Sequence, residues 1–345
     1  MPNCQLFSAF MMIKLLFIRL LWLISLFICP IALAQMPTPQ ALLTELDINQ
    51  RDITRLNAGE VVLFNVPNNS ETELTAGIII YLSATPAHII ALIKKDGLAS
   101  LDPLALSGGG IPLNTDSVSS NDFSFKPEKQ KANDVLTATP GEQFNFSTEE
   151  YQLINSQKAS QTPNASEIYK QLLWKRLQSY RQLGVKGIAP YDRGNNILVN
   201  PSKDLTVAAE AHDLASDYYP DIFKAWRDYP NYKLPNGVEE SYTWSNRLVQ
   251  GRTSAMLTHR FILSDKHGEL MLGRQFYSEH SFNVNQLTIT CLPYMKGTLL
   301  FYTNRNFTDQ VGGFGSGIKR LIGNNLAQEQ VVTLLLSLQQ HLKNH

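Results

Sequence analysis

Residues 239–345 show the clearest alternation of apolar and polar positions in the chain. Five runs, at residues 240–248, 254–263, 269–278, 283–292 and 296–304, are separated by short turns, most of which contain Gly or Pro. A period of two with short turns predicts a meander of antiparallel strands. In the second run His259 shares a face with Leu257 and Phe261, whereas Thr258 and Arg260 lie on the other. The pattern therefore predicts a sheet with one apolar face and one face in water.

The residues after this meander predict a long C-terminal helix. A glycine-rich turn at residues 311–317 precedes the helix, which we expect to begin near Gly317 or after Asn325. Its apolar side chains recur at helical spacing, at Leu326, Val331, Leu334, Leu335, Leu338 and Leu342. Because a sheet with one apolar face needs a cover, we expect this helix to pack on the face that carries His259. A helix that forms a dimer is the alternative.

The front of the chain predicts a β-hairpin that runs into a helix. Residues 60–66 and 74–83 are rich in β-branched side chains, and a turn at residues 67–70 joins them. Thr85 is placed to cap a helix that starts at Pro86 and ends near Gly97. Because an isolated two-stranded sheet is marginally stable, we expect the hairpin to join the later strands in one sheet.

The middle of the chain divides into two sections. Residues 99–147 contain Ser107 followed by three consecutive glycines, and also several prolines, and we interpret them as a solvated loop or lid. Residues 148–236 predict an inserted helical section, with helices at 147–156, 165–183, 204–214 and 217–228 and a break at Pro220. Residues 35–345 together are predicted to form a single domain, in which residues 239–345 supply the meander and the C-terminal helix.

The N-terminal residues 1–34 resemble a secretory signal peptide. Lys14 and Arg19 precede a run at residues 20–28 that is almost wholly apolar. Ala32 and Ala34 stand where signal peptidase requires small residues. The segment predicts an exported protein, periplasmic or, alternatively, secreted. A retained membrane anchor and a lipoprotein at Cys29 are the other interpretations.

Charge and cysteine content narrow the class of protein further. Lys and Arg number 30, and Asp and Glu also number 30, without a basic cluster, which gives no support for nucleic-acid binding. After removal of the signal peptide, Cys291 is the remaining cysteine, so no internal disulfide can form. Its place among the apolar residues of a strand predicts a buried, inert thiol.

Two family resemblances follow from short motifs. Residues 78–92, IIIYLSATPAHIIAL, resemble the strand, Pro-containing turn and helix that open START-like (helix-grip) domains. This resemblance implies an α+β fold in which a curved antiparallel sheet grips a long C-terminal helix around a tunnel. A second resemblance, to a family of exported bacterial proteins of unknown function, implies bacterial origin and export but no activity. It rests on residues 59–62, Tyr242, Trp244-Ser245, Thr258-His259, Gln275 to His280, Asn304-Arg305 and Asp309.

Candidate chemistry is sparse in this sequence. His259 or His280 with Glu240 or Asp309 could supply a general base and its carboxylate partner. Glu240 and Asp309 could instead form ion pairs with Arg305, and a histidine on an apolar face is commonly a hydrogen-bonded core residue. We expect no metal site, because ligand spacings such as HxH or HExxH do not occur, and we expect no cofactor.

The sequence leads to three hypotheses about function. The first is a non-enzymatic binding protein that holds an apolar or amphipathic, lipid-like small molecule between the sheet and the C-terminal helix. Its ligand-binding candidates are Trp244, His259, Tyr277 and Arg305. The second is a hydrolase or cyclase-like enzyme that uses the His and carboxylate candidates. The third is an envelope scaffold whose loop at 99–147 binds a partner protein. A peripheral contact with a membrane is a further interaction considered for this chain. The first hypothesis rests on the architecture, and fold alone is an analogy for function.

Overall fold

The structure is a computed structural model, and it describes residues 36–96, 100–113, 129–158, 164–211, 214–311 and 316–344. The helices are α1 (Pro39–Glu45), α2 (Gln50–Asn57), α3 (Pro86–Asp96), α4 (Lys129–Thr137), α5 (Thr148–Lys158), α6 (Ala165–Leu183), α7 (Pro201–Glu210), α8 (Leu214–Tyr218), α9 (Pro220–Asp228) and α10 (Ser316–Asn344). The strands are β1 (Val62–Phe64), β2 (Glu73–Leu82), β3 (Ala105–Ile111), β4 (Tyr191–Asp192), β5 (Leu198–Val199), β6 (Val238–Val249), β7 (Arg252–Asp265), β8 (Gly268–Ser278), β9 (Val284–Tyr294) and β10 (Gly297–Phe307).

One large antiparallel sheet organises the described chain. Its 8 strands lie in the order β1-β2-β10-β9-β8-β7-β6-β3, and β4 and β5 form a separate small ribbon. The five alternating runs of the C-terminal region correspond to β6–β10, and the front hairpin joins them because β2 pairs with β10. The predicted α+β class, with an antiparallel sheet and a long C-terminal helix, is confirmed.

Helices cover both faces of this sheet. On the first, which we call the His259 face, Leu257, His259 and Phe261 pack with the helices of the section 148–236 in one large core. On the second, the α10 face, Ile289 and Cys291 form a separate core with side chains of α3 and α10. The prediction of one face in water is therefore wrong, because the inserted helices bury the His259 face while α3 and α10 bury much of the other.

The C-terminal helix lies on the opposite side of the sheet from the one predicted. Leu335, Leu338 and Leu342 of α10 pack against the strand residues of the α10 face, and not against the His259 face. The amide of Gln339 fixes the helix further, because its Nε2 donates to the carbonyl oxygens of Gly59 (3.0 Å) and Tyr81 (2.9 Å). These two bonds join the last helix to β2 and to the turn that precedes β1.

Residues 99–147 are more ordered than the sequence indicates. Residues 105–111 form β3, the edge strand that pairs with β6, and residues 129–137 form α4, which contributes the buried Val135 to the core of the His259 face. The interpretation of this whole stretch as a loop is wrong for these parts. The sequence also permits a short strand at residues 122–125. That segment and residues 312–315 of the glycine-rich turn lie outside the described residues, as does the predicted signal peptide.

Two further observations bear on the sequence predictions. Cys291 on β9 is fully buried, which confirms the predicted burial of this thiol, and burial raises its pKa. Among the described helices, none combines the length and the hydrophobicity needed to cross a membrane.

Candidate functional site

A cleft of about 460 Å³ lies between the α10 face of the sheet and residues 323–334 of α10. Strands β6 to β10 form its floor, and α10 forms its roof. The strand pairing explains the floor, because residues that face one another across antiparallel strands point to the same side of the sheet. The cleft thus exposes one continuous strip of the α10 face beside the core that α10 buries.

One part of the cleft lining is apolar. Met271, Ile289 and Tyr302 are register partners on β8, β9 and β10, and they form the boundary between the cleft and the buried core of the α10 face. Val331 and Leu334 of α10 face them from the roof. An apolar group bound here would lie between a strand surface and a helix.

A row of uncharged polar side chains crosses the floor of the cleft. The register places Thr243, Thr258, Gln275, Asn285 and Asn306 opposite one another on the consecutive strands β6 to β10. All of them line the cleft. Since neighbouring strands are about 4.8 Å apart, the row is roughly 19 Å long. We call these five residues the polar row.

Three asparagines at one end of the cleft have unsatisfied oxygen atoms. Asn285 and Asn306 belong to the polar row, and Asn304 lies two residues before Asn306 on the same face of β10. Asn285 is 7% exposed and Asn304 is 4% exposed. Among the described residues, the Oδ1 atoms of all three are buried without a hydrogen-bond partner. Such atoms cost free energy unless a partner arrives, so we call these residues the asparagine cluster.

The charged residues that line the cleft lie near its other end. Arg247 on β6 pairs with Asp102 at 2.5 Å and also donates to the Oε1 atom of Gln330 at 3.1 Å. Arg260 on β7 donates to the carbonyl oxygen of Ile93 at 3.4 Å. Strand β7 is two strands, or about 10 Å, from β9. The asparagine cluster therefore lies in an uncharged part of the described lining.

The structure separates the four predicted ligand-binding residues. Trp244 borders the cleft. His259, Tyr277 and Arg305 point to the His259 face, where Tyr277 packs under the guanidinium of Arg176 at 4.3 Å. The prediction that these three side chains line a cavity beneath the C-terminal helix is wrong, because α10 covers the opposite face.

The predicted ion pairs of Arg305 are also wrong. Arg305 pairs with Glu73 on the adjacent strand, at 2.6 Å between Nη1 and Oε1, and Glu73 is fully buried. Asp309 instead accepts hydrogen bonds from Arg193, at 2.8 Å and 3.1 Å. Neither Arg193 nor Glu73 was singled out by pattern, because both partners come from distant parts of the chain.

One predicted pair, His259 with Glu240, does form. The two side chains lie on adjacent strands, and 3.0 Å separates His259 Nε2 from Glu240 Oε1. Tyr180 lies 3.0 Å from the other ring nitrogen, and Tyr232 donates to Glu240 at 2.7 Å. Burial lowers the pKa of His259 to about 4 against the opposing effect of Glu240. His259 is therefore neutral, with its Nε2 proton donated to the carboxylate.

The protein core encloses the histidine of this pair, whereas the side chain of Glu240 is 18% exposed. The imidazole of His259 has no exposed surface, and the ring centroids of Trp226, Tyr229 and Tyr242 lie within 5.1 Å of its own. Burial raises the pKa of the Glu240 carboxyl, but hydrogen bonds from His259 and Tyr232 outweigh that effect and leave the pKa below its usual value. The geometry is that of a buried structural network.

His280 lies apart from the other predicted catalytic residues. Its Nδ1 atom is 2.5 Å from the hydroxyl of Ser281, and its Nε2 atom is 3.0 Å from the carbonyl oxygen of Thr253. Among the described residues, His, Cys, Asp and Glu side chains form no group that could hold a metal ion.

Comparison with known proteins adds little to this geometry. The chain matches no protein-family model and no curated protein. It is similar to a protein of known structure from Thermus thermophilus, TTHA0849, with 18% sequence identity, over 32% of this chain and 77% of that one, and with a TM-score of 0.26. A similarity this weak carries no argument about fold or function, and the START-like resemblance stays a prediction.

The asparagine cluster is the feature that the sequence interpretation missed. The sequence contains a signal for this cluster. In the alternation of each strand, Asn285 falls on the same face as Leu287 and Ile289, and Asn304 and Asn306 fall on the same face as Tyr302. Asparagines that fall on the apolar face of a strand predict buried polar groups. Which partner buries them could be read only from the position of α10.

Proposed function

We propose that this chain is an exported, non-enzymatic protein that binds an amphipathic small molecule in the cleft under α10. The observation that carries the proposal is the composition of that cleft. An apolar boundary at Met271, Ile289 and Tyr302 stands beside a polar row whose Asn285 has an unsatisfied buried oxygen. A molecule with one apolar part and one hydrogen-bonding part satisfies both.

The size of the cleft supports a small ligand. Its volume of about 460 Å³ lies within the range of roughly 300–1,000 Å³ that small-molecule pockets occupy. Lining by apolar side chains with a few polar groups is also typical of such sites. The predicted location between sheet and C-terminal helix is kept, although the residues that line it differ from those predicted.

The enzyme hypothesis gains no support from this geometry. A hydrolase or cyclase-like reaction would require the His259–Glu240 pair to contact a substrate. A substrate would reach the fully buried imidazole only by displacing Trp226, Tyr229 or Tyr242. His259 and Glu240 also lie outside the cleft lining.

A cleft-filling substitution tests the proposal. Ala327 lines the cleft from α10, whereas Glu329 is an exposed residue of the same helix outside the lining. We expect Ala327→Trp to weaken binding of the neutral apolar fluorophore 1-N-phenylnaphthylamine at least tenfold, because the indole occupies the space. The matched control Glu329→Trp should bind as the wild type does. Both variants should keep the fold, since Trp costs only about 0.5 kcal/mol in a helix.

Two results would overturn the proposal. One is a wild-type protein that does not bind the fluorophore, which would mean that the cleft accepts no apolar molecule. The other is equal binding by wild type and Ala327→Trp, which would place the bound fluorophore elsewhere. Native mass spectrometry of the gently purified protein provides an independent readout, because a resident ligand would appear as a mass increment that Ala327→Trp lacks.

A further inference from the structure

We infer that the asparagine cluster binds a neutral, hydroxyl-bearing group, so that the polar part of the ligand is sugar-like or glycerol-like and uncharged. The inference rests on the proposed function, because it assigns the polar end of the same amphipathic ligand. It starts from Asn285, Asn304 and Asn306, whose buried Oδ1 atoms have no partner among the described residues.

The positions of the three amides fit one polar group. Asn285 and Asn306 are direct register partners on β9 and β10, so their Cβ atoms are about 5 Å apart. Asn304 is two residues along β10 on the same face, about 7 Å away. A single ring or short chain that carries several hydroxyl groups can contact all three amides at once.

The chemistry of the amides selects for hydroxyl groups. A carboxamide presents both an acceptor oxygen and a donor NH₂ group, and a hydroxyl both donates and accepts. The match holds in either orientation of the amide, so it does not depend on which terminal atom is assigned as oxygen. A phosphate or carboxylate only accepts hydrogen bonds, and it would leave the Oδ1 atoms of Asn285 and Asn304 without a donor.

The surrounding charge also selects against an ionic group. The charged side chains of the described cleft lining are Asp102, Arg247 and Arg260. Arg247 and Asp102 neutralise each other, and Arg260 lies two strands from Asn285. An anion or an ammonium group at the asparagine cluster would therefore lose its water without gaining an opposite charge, which is unfavourable.

The polar row indicates where a longer hydroxyl-bearing group would extend. Gln275 lies opposite Asn285 on β8, and Thr258 lies opposite Gln275 on β7. The Gln275 Nε2 atom donates to a weak acceptor, the sulfur of Met256, at 3.6 Å. A second ring beside the first would meet these amide and hydroxyl groups along the row, while the apolar part lies toward Ile289 and Tyr302.

Head-group selectivity is the measurement that tests this inference. Three probes share a ten-carbon chain and differ in the polar end: n-decyl β-maltoside, decylphosphocholine and decyl sulfate. Their affinities are measured below micelle-forming concentrations, by displacement of 1-N-phenylnaphthylamine and by isothermal titration calorimetry. We expect the maltoside to bind at least tenfold more tightly than the other two.

Leucine variants connect the selectivity to the cluster. Asn285→Leu and Asn304→Leu keep the approximate size of the side chain and remove its hydrogen bonds. Each should weaken maltoside binding about threefold to tenfold, as expected for one or two lost hydrogen bonds, and leave the other two probes nearly unchanged. The control Asn231→Leu, at an exposed asparagine outside the cleft, should behave as the wild type.

The outcomes separate the two proposals. Equal affinity of wild type for all three probes, or unchanged selectivity in both cluster variants, would overturn the head-group inference and leave the amphipathic-ligand proposal standing. If neither the fluorophore nor any of the three probes binds the wild type, the proposed function fails and the inference fails with it. Thermal unfolding of each variant confirms that a loss of binding does not come from a loss of fold.

Discussion

Two buried asparagines in this protein should respond in opposite directions to the same substitution. Asn304 and Asn145 are 4% and 1% exposed. The Oδ1 atom of Asn304 has no partner among the described residues. The side chain of Asn145 donates to the carbonyl oxygens of Ser278 (2.8 Å) and Phe282 (2.9 Å), and its Oδ1 accepts from Arg193 at 2.8 Å. Leucine resembles asparagine in size, so each substitution mainly removes the polar amide.

The magnitudes follow from these contacts. A buried polar group without a partner costs about 1–3 kcal/mol, so Asn304→Leu should increase the free energy of unfolding of the ligand-free protein by about that amount. Asn145→Leu removes two neutral hydrogen bonds and one to a charged guanidinium. With about 0.5–1.5 kcal/mol for each neutral bond and about 1.5–3 kcal/mol for the charged one, it should lower the free energy of unfolding by roughly 2.5–6 kcal/mol.

Urea unfolding monitored by tryptophan fluorescence measures both changes. At constant slope, a shift of the midpoint reports the change in stability directly. A decrease of more than about 1 kcal/mol in Asn304→Leu would refute the reasoning, because it would mean that the amide makes stabilising bonds in the free protein. Adding n-decyl β-maltoside provides a second readout, since a bound ligand should stabilise wild type more than Asn304→Leu.

Two further predictions concern the His259 face. Glu73→Gln should lower the free energy of unfolding by about 3–5 kcal/mol, because it leaves Arg305 buried without an opposite charge. The control Asp228→Asn, in the exposed pairs with Lys224 and Arg227, should change the free energy of unfolding by less than about 1 kcal/mol. Equal effects of the two substitutions in urea unfolding would contradict this reasoning. Burial lowers the pKa of His259 in the folded protein to about 4, below the 6.5 of a free histidine, so the unfolded chain binds the extra proton between these values and stability falls as the pH decreases through that window. Relative to His259→Gln, the wild type should therefore lose about 1.4 kcal/mol per pH unit from about pH 6.5 to about pH 4, and a pH-independent difference between the two proteins would argue against a buried neutral imidazole.

The candidate site shows where sequence interpretation fails for a physical reason. His259 and Glu240 were identified as a histidine and a carboxylate on strands predicted to be neighbours, because turns and alternation encode strand order locally. In the structure they are diagonal neighbours on β7 and β6, since His259 pairs with Tyr242 and Glu240 pairs with Phe261. The choice of which face α10 covers depends on long-range packing, and no local pattern encodes it. Either the inserted helices or the C-terminal helix could bury the apolar face that carries His259. The sequence interpretation assigned the C-terminal helix to this face, so the residues predicted to line the cavity were wrong.

Long-range packing also explains why the ion-pair partners of Arg305 and Asp309 were not predicted. The sequence interpretation offered Glu240 and Asp309 equally as partners of Arg305. In the structure Arg305 pairs with Glu73 on β2, and Asp309 pairs with Arg193, which directly follows β4. The energetic penalty of burying either charge alone demands a partner. It does not specify which residue supplies the partner.

By itself, the sequence determined the elements that have a strong local pattern, whereas β3 and α4 were missed. Period-two alternation and short turns gave β6–β10, the Thr85-Pro86 pair started α3, and helical spacing gave α10, because each signal acts over a few neighbouring residues. Only the tertiary structure decided that helices cover both faces of the sheet and that a cleft remains under α10. It also decided that Asn285, Asn304 and Asn306 face that cleft with unsatisfied oxygens, since such an arrangement arises only when distant segments meet.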